Sequence, residues 1–471
     1  MRQSPAPILE GRTHLVILCC GMQRLPWHPL PPQRSSKDRP DASATQREPA
    51  MPPSPNPNPN PSHHPATEIL IIGGGAAGIG VAASLRRRRP QLDIAIIEPS
   101  DAHYYQPAWT LVGGGAFDAG RTVRQTDTLI PAGVRRIRAS ATHVDTATHR
   151  VTLDDGRSVR YSQLIVSPGL RLAWERIDGL EAALGQHGVT SNYRFDLAPY
   201  TWSLVHSLRS GRALFTQPAM PIKCAGAPQK AMYLACDHWR RTGVLDQIDV
   251  EFNLAGAALF GVEAFVPALM RYVERYRAGL AFGSTLVAVD GPARTAWFER
   301  KNADGETIRT PKRFDLLHAV PPQVPPAFIA QSGLGDAAGW CEVDPATLQH
   351  VRHADVFSLG DACSTPNAKT AAAVRKQAVV VAENLLAHRD RQPLPTRYDG
   401  YGGCPLTVER GKVILAEFGY GGKLLPTFPL APTVARQSAW WLKTAMLPWL
   451  YWNGLLKGRE WLARPSLPAE R

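Results

Sequence analysis

Gly73, Gly75 and Gly78 follow the apolar run Ile69-Leu70-Ile71-Ile72, and Glu98 stands 20 residues beyond the last glycine. This spacing suits a dinucleotide. The first glycine makes a tight turn, the second lets backbone approach a pyrophosphate, and the third lets helix pack on strand. The N–H groups of Ala76 and Ala77 would open the helix that faces the phosphates. Glu98 ends the next apolar segment, where it can accept from a ribose hydroxyl. The other chemistry-bearing residues are seven cysteines, at 19, 20, 224, 236, 341, 363 and 404. They form no C-x-x-C pair, and no His/Cys/Asp/Glu spacing marks a metal site, so no metal is expected.

The elements that must hold these residues are set by length and composition. A chain of 471 residues can bury more than one core. Its residues are 44% hydrophobic, yet no uninterrupted apolar run approaches the length of a membrane span. The formal charge is +13, and residues 434–471 hold six Lys/Arg against two Glu together with five of the twelve tryptophans. That mixture favours an anionic membrane surface over nucleic acid. Scattered cysteines in a nucleotide-binding chain imply a reducing compartment. Residues 1–66 carry 15 of the 42 prolines and read as a disordered tail. The apolar stretch His14 to Cys20 is too brief for a signal peptide, and four acidic residues in the tail argue against a transit peptide.

Residues 67–172 read as the first part of a dinucleotide-binding domain. After Glu98 comes an aromatic segment, His103 to Trp109 with Gln106 inside it, suited to line a planar ring. Arg150 to Arg157 is a hairpin with an Asp-Gly turn, and Leu164-Ile165-Val166-Ser167-Pro168-Gly169 is a buried strand closed by Pro-Gly. Strands and helices alternate again over residues 173–330. The place where a nicotinamide fingerprint would open this domain, Pro218 to Lys230, holds no G-x-G-x-x-G. Residues 331–400 return to the first domain through a strand ending in Gly360-Asp361, and residues 401–471 form a C-terminal region. The order is similar to that of the two-dinucleotide-binding-domain flavoproteins. The resemblance implies an α/β fold of two Rossmann-like domains, with FAD contacted by Gly73, Gly75, Ala76, Ala77, Gly78, Glu98, Gln106, Val144, Asp361 and Lys369.

Three stretches narrow the family. Ile222-Lys223-Cys224-Ala225-Gly226-Ala227-Pro228-Gln229-Lys230, Gly360-Asp361 with Lys369-Thr370-Ala371-Ala372-Ala373-Val374, and Tyr398 to Leu406 with Cys404 inside it resemble sulfide:quinone oxidoreductases of the mitochondrial type. The resemblance covers about Ile69 to about Arg459. It implies that Cys224 and Cys404 are a redox-active pair at the flavin, passing electrons from hydrogen sulfide through FAD to quinone. The sulfane sulfur would go to sulfite, a thiol or a further sulfide. Lys223, beside Cys224, could lower its thiol pKa.

The run Ser438 to Arg459 reads as two short amphipathic segments split by Pro448. The expectation is a peripheral anchor on the inner or cytoplasmic membrane, the mitochondrial inner membrane in a eukaryote, rather than a helix pair packed on the protein's own core. Cys236 and Cys341 read as buried apolar residues, while Cys363 lies close enough to Gly360-Asp361 for a secondary role. Two alternatives stay open: a type II NADH:quinone dehydrogenase, which needs the missing second fingerprint, and a flavin-binding thiol switch without catalysis.

Overall fold

The computed structural model describes residues 66–463. The proline-rich tail lies outside them except for Ala66, as do the last eight residues. The apolar run before the glycines forms strand β1 (Ala66–Ile72), and the glycine turn releases helix α1 (Ala76–Arg88). Then come β2 (Ile94–Ile97), a short helix α2 (Trp109–Gly113), β3 (Val134–Ile137), and a meander of β4 (Ala141–Asp145), β5 (Arg150–Leu153) and β6 (Ser158–Val166). Strands β3, β2, β1 and β6 pair in parallel in that order, and β5 and β4 continue the sheet antiparallel from the first half of β6. Ile69, Leu70 and Ile71 are wholly buried, which fits a strand covered on both faces.

A second parallel sheet follows, built from β7 (Val189–Thr190), β8 (Gly211–Gln217), β9 (Ile248–Leu254), β10 (Gly279–Phe282) and β11 (Leu316–His318). Their spatial order is β7-β11-β8-β9-β10. Helix α3 (Ala227–Arg241) crosses from β8 to β9, with Trp239, Tyr233 and Met232 inside the core. The chain then returns. Strand β12 (Val356–Ser358) pairs with the end of β6, so the first sheet is completed by residues about 190 positions apart. Helix α4 (Ala371–Arg389) follows, started by Thr370, whose hydroxyl accepts from Ala373 N–H.

A hairpin of β13 (Gly402–Glu409) and β14 (Lys412–Phe418) carries Cys404. Beyond it, Pro448 does not split the C-terminal run. Helix continues from Gln437 to Asn453 because Leu442–Met446 takes up a π-helical turn just ahead of the proline. The wider turn absorbs the bonding that proline cannot supply. Its inner residues Tyr451 and Trp452, with Leu455 and Leu456 just after, join the core around α1. Part of this segment is therefore packed on the protein itself, contrary to the expectation of a free anchor. Among the described residues, no helix is long and apolar enough to cross a membrane.

Candidate redox site at the cysteine pair

Cys224 sits in the loop between β8 and α3 with φ of 49°, the left-handed region that a non-glycine residue enters at a cost of about 1–2 kcal/mol. Two bonds hold it there. Its N–H donates to Lys369 C=O (2.9 Å), and its carbonyl accepts from Ala227 N–H (2.6 Å). Tyr193 donates to the carbonyl of Lys223 (3.1 Å), and Lys223 N–H donates to Gln323 Oε1 (2.7 Å). This loop therefore places Cys224 Sγ 3.7 Å from Cys404 Sγ, across 180 residues of sequence. The two cysteines are not joined, since a disulfide needs about 2.05 Å.

Gly226 makes the approach possible. A Cβ there would stand 2.7 Å from Cys404 Sγ and 2.4 Å from Leu406 Cδ2. Its φ of −86° is open to any residue, so space rather than backbone freedom calls for glycine.

Lys230, in the first turns of α3, places Nζ 3.0 Å from Cys224 Sγ and 3.7 Å from Cys404 Sγ. It is 3% exposed. Burial opposes its charge, but the two sulfurs hold the ammonium above its ordinary value. The Cys224 thiol is held well below its ordinary value, first by the hydrogen bond from Cys404 and then, against burial, by Lys230. Cys404 is held well above, because it donates to that thiolate and is itself buried. Of the two, Cys224 is the one that ionises first, and Cys404 holds its proton longer. Lys223, expected to activate Cys224, interacts with it through its charge only: its Nζ donates to Gln106 Oε1 (2.7 Å), and the ammonium in contact with the sulfur is that of Lys230.

A second lysine, Lys443 of the C-terminal helix, is also turned inward. Its Nζ donates to Pro405 C=O (3.0 Å) and to Thr407 Oγ1. Burial, and then the charge of Lys230, hold its amine well below the ordinary value. Sequence reasoning took this lysine for a flank of the membrane face and passed over Lys230 altogether. The available signal was a lysine set in the apolar face of α3, between Gly226 and Met232.

The glycine turn lies at the end of β1, on the first sheet. Gly73 has φ of 96°, and a Cβ at Gly78 would stand 1.8 Å from Gly73 C=O, so the turn is closed from behind. In front it is open: a Cβ at Gly75 would meet nothing within 4 Å, and no side chain caps the start of α1. Glu98 Oε2 accepts from Gly74 N–H (2.7 Å) and Oε1 from Ser100 N–H (2.7 Å), which fixes the carboxylate beside the turn. His103 Nδ1 lies 3.2 Å from Gly74 C=O and Nε2 lies 2.7 Å from Tyr451 Oη. A carbonyl only accepts, so Nδ1 carries the proton and Nε2 accepts from the tyrosine. Burial lowers the imidazole pKa to about 4, keeping it neutral.

Asp361 follows β12, and burial pushes its carboxyl up against the opposing charges of Lys369 and Lys223. Lys369 Nζ donates to Cys363 C=O (2.8 Å) and stands 4.3 Å from the centre of the Trp340 ring. Next to Asp361, Gln377 Oε1 accepts from Gly360 N–H (2.9 Å), while its buried Nε2 has no partner. The open face at Gly75 and this orphaned donor fit a dinucleotide such as FAD. Val144 is not brought to the turn. It lies on β4, three strands from β1, with its N–H donated to Ser332 Oγ (2.8 Å). Cys363 is fully buried and donates to Gly360 C=O. No group of His, Cys, Asp and Glu able to hold a metal exists among the described residues.

Known proteins match this chain over most of its length. Residues 67–205 match the pyridine nucleotide-disulphide oxidoreductase family. The mitochondrial sulfide:quinone oxidoreductase of Dictyostelium discoideum is 40% identical over 404 residues, 85% of this chain and 88% of the relative. That of Mus musculus is 38% identical over 392 residues, 83% of this chain and 86% of the relative. The crystal structure of the sulfide:quinone oxidoreductase from Aquifex aeolicus superposes with a TM-score of 0.70 at 17% identity, over 86% of this chain and 98% of that one. This last likeness speaks to the fold.

Proposed function

Because the chain belongs to the sulfide:quinone oxidoreductase family, we propose that it oxidises sulfide at Cys224 and Cys404 and delivers the electrons through FAD to quinone. The observation that carries this reading is the pair of sulfurs 3.7 Å apart with Lys230 against both.

The unequal thiols give the reaction a direction. In the oxidised pair, hydrosulfide attacks one sulfur and the other leaves as thiolate; the thiol of lower pKa leaves faster. Cys224, stabilised by Lys230, is the leaving sulfur, so the persulfide forms on Cys404. The S–S bond breaks, a new S–S bond forms to the incoming sulfur, and no electron is yet lost. An acceptor of the sulfite, thiol or sulfide class then takes the outer sulfur, leaving Cys404 as thiol. Lys443, set beside Pro405 and Thr407 with its amine held well below the ordinary value by burial, can receive the thiol proton as the disulfide closes again. FAD, when bound, supplies the two-electron acceptor for that closure. Gly73, Gly75, Ala76, Ala77 and Gly78 would hold its pyrophosphate, Glu98 its ribose, and Asp361 its ribityl chain. Lys369 and the start of α4 would face its ring, and Gln106, tied to Lys223, would border it.

We assign the exposed aromatic side of the C-terminal segment to a membrane surface, as a peripheral contact that gives quinone a route to the site. Mitochondrial relatives support an inner-membrane location if the source is eukaryotic. The test of the whole reading is a sulfide titration of the purified holoprotein. Flavin absorbance should bleach with sulfide and recover with quinone, and Cys224→Ser or Cys404→Ser should abolish bleaching while retaining FAD. Reduction by NADH and not by sulfide would replace this reading with the dehydrogenase alternative.

A further inference from the structure

Away from the cysteines, an open cleft of about 550 Å³ runs between the end of α1 and the chain that follows the C-terminal helix. Arg87, Arg88, Gly458, Arg459, Glu460 and Trp461 line it. Four arginines in a row, Arg86 to Arg89, end α1. Basic residues suit a helix C-terminus, and three of the four have structural work. Arg86 donates to Ala132 C=O and Leu92 C=O. Arg88 pairs with Glu383 and Glu460, and Arg89 with Asp390. Arg87 is exposed and meets no carboxylate among the described residues. Across the cleft, Arg459 is likewise exposed and without a carboxylate; its guanidinium lies 5.5 Å from the Trp461 ring centre. Glu460 is already neutralised by Arg88 and accepts from Ser84 Oγ.

The rim of this cleft is apolar and points outward. Trp461 stacks on Trp449, ring planes 3° apart at 5.3 Å, yet the two remain 42% and 51% exposed, with Leu462 beside them at 49%. A stacked tryptophan pair in water buries neither outer face, whereas at a bilayer boundary the indoles lie at headgroup depth.

We propose that Arg87 and Arg459 form a binding site for the phosphate of an anionic phospholipid, with Trp449 and Trp461 seated in the headgroup layer beside it. The proposal rests on the membrane contact assigned above. Two free guanidiniums match a phosphodiester in charge and in donor geometry, and the neighbouring indoles limit the source to a phosphate held at an interface.

Vesicle co-sedimentation of the holoprotein tests this, with pure phosphatidylcholine and with phosphatidylcholine containing about one third phosphatidylglycerol. The parent should favour the anionic vesicles, and that preference should fall as salt is raised. Arg87→Gln with Arg459→Gln should lower partitioning to anionic vesicles by roughly twenty-five-fold, about fivefold per arginine, and leave binding to phosphatidylcholine unchanged. Trp449→Ala with Trp461→Ala should weaken binding to both. The flavin spectrum and melting temperature report that each variant is folded. If the arginine variant binds anionic vesicles as the parent does, the phosphate site is wrong while the membrane contact stands. A parent that binds neither vesicle removes the membrane contact itself, and the site with it. Loss of the anionic preference on adding inorganic phosphate at constant ionic strength would show a free-anion site instead, and would also overturn the proposal.

Discussion

Gly226→Ala isolates the geometry of the cysteine pair. The backbone at Gly226, with φ of −86°, accepts alanine without strain, so the only change is the new methyl. It would lie 2.7 Å from Cys404 Sγ and 2.4 Å from Leu406 Cδ2, where non-bonded contacts settle at about 3.5–4.0 Å. Leu406 is fully buried and has no room to turn away. Cys404 must therefore retreat by about 1 Å, lengthening a sulfur–sulfur approach that is now 3.7 Å. A displacement of that size at reacting atoms costs about a hundredfold in rate, or about 2.7 kcal/mol of barrier. The assay is stopped-flow bleaching of the flavin by sulfide. The expected result is a drop of roughly a hundredfold with FAD content unchanged, because the glycine turn after β1 is untouched. Gly261→Ala, where a Cβ meets nothing within 4 Å, is the matched control and should behave as the parent. A Gly226→Ala rate within about threefold of the parent would refute the claim that the 3.7 Å approach limits the chemistry.

Other consequences can be measured directly. Lys230→Met removes the cation against Cys224, so the thiol pKa should rise and alkylation of the reduced protein by iodoacetamide at neutral pH should slow; an unchanged pH profile would exclude Lys230 as the activating group. Neutral His103 makes stability depend on pH. Its folded pKa of about 4 lies below the ordinary 6.5, so the unfolded chain binds the proton first. The contribution is whole above 6.5 and is lost as pH falls from there to 4, about 3 kcal/mol at most. Denaturation midpoints at several pH values should show that slope, and His103→Gln should flatten part of it. His318 and His350, also lowered to about 4, and His238, lowered as well, add to the slope. Tyr451→Phe leaves buried His103 Nε2 without a donor and should cost about 1–3 kcal/mol in melting experiments.

The sequence was most informative where structure is local. The β1 turn, α1 and Glu98 fall within about thirty residues; Gly73 and Gly78 have steric reasons that their spacing reveals, and the space in front of Gly75 is open. The hairpin turn before Ser158 and the strand before Gly360 were legible for the same reason. The partners of the cysteines were not. Lys230 and Lys443 come from two helices, and which face of a helix meets a distant hairpin depends on packing that no single segment specifies. Lys443 sits among tryptophans and reads as an interfacial charge until the fold turns it inward. The π-helical turn before Pro448 follows from the same limit, because a proline normally marks a break and only tertiary packing keeps this helix running. Cys224 and Cys404 were paired by family resemblance, not by anything in their spacing.

The pairing of β12 with β6 also orders events during synthesis. When Val166 leaves the ribosome, β6 has its neighbour β1 on one side, but the end of its other edge stays open until Val356 to Ser358 are made. The second parallel sheet, complete by His318, can close first as an insertion folded on its own core. The glycine turn waits longer still. Its Gly74 carbonyl is held through His103 by Tyr451, a residue translated nearly at the end. A nascent chain stalled before Ser358 carries an exposed strand edge, and one stalled later but before the C-terminal helix still lacks the Tyr451 hydroxyl that holds His103 at the nucleotide turn.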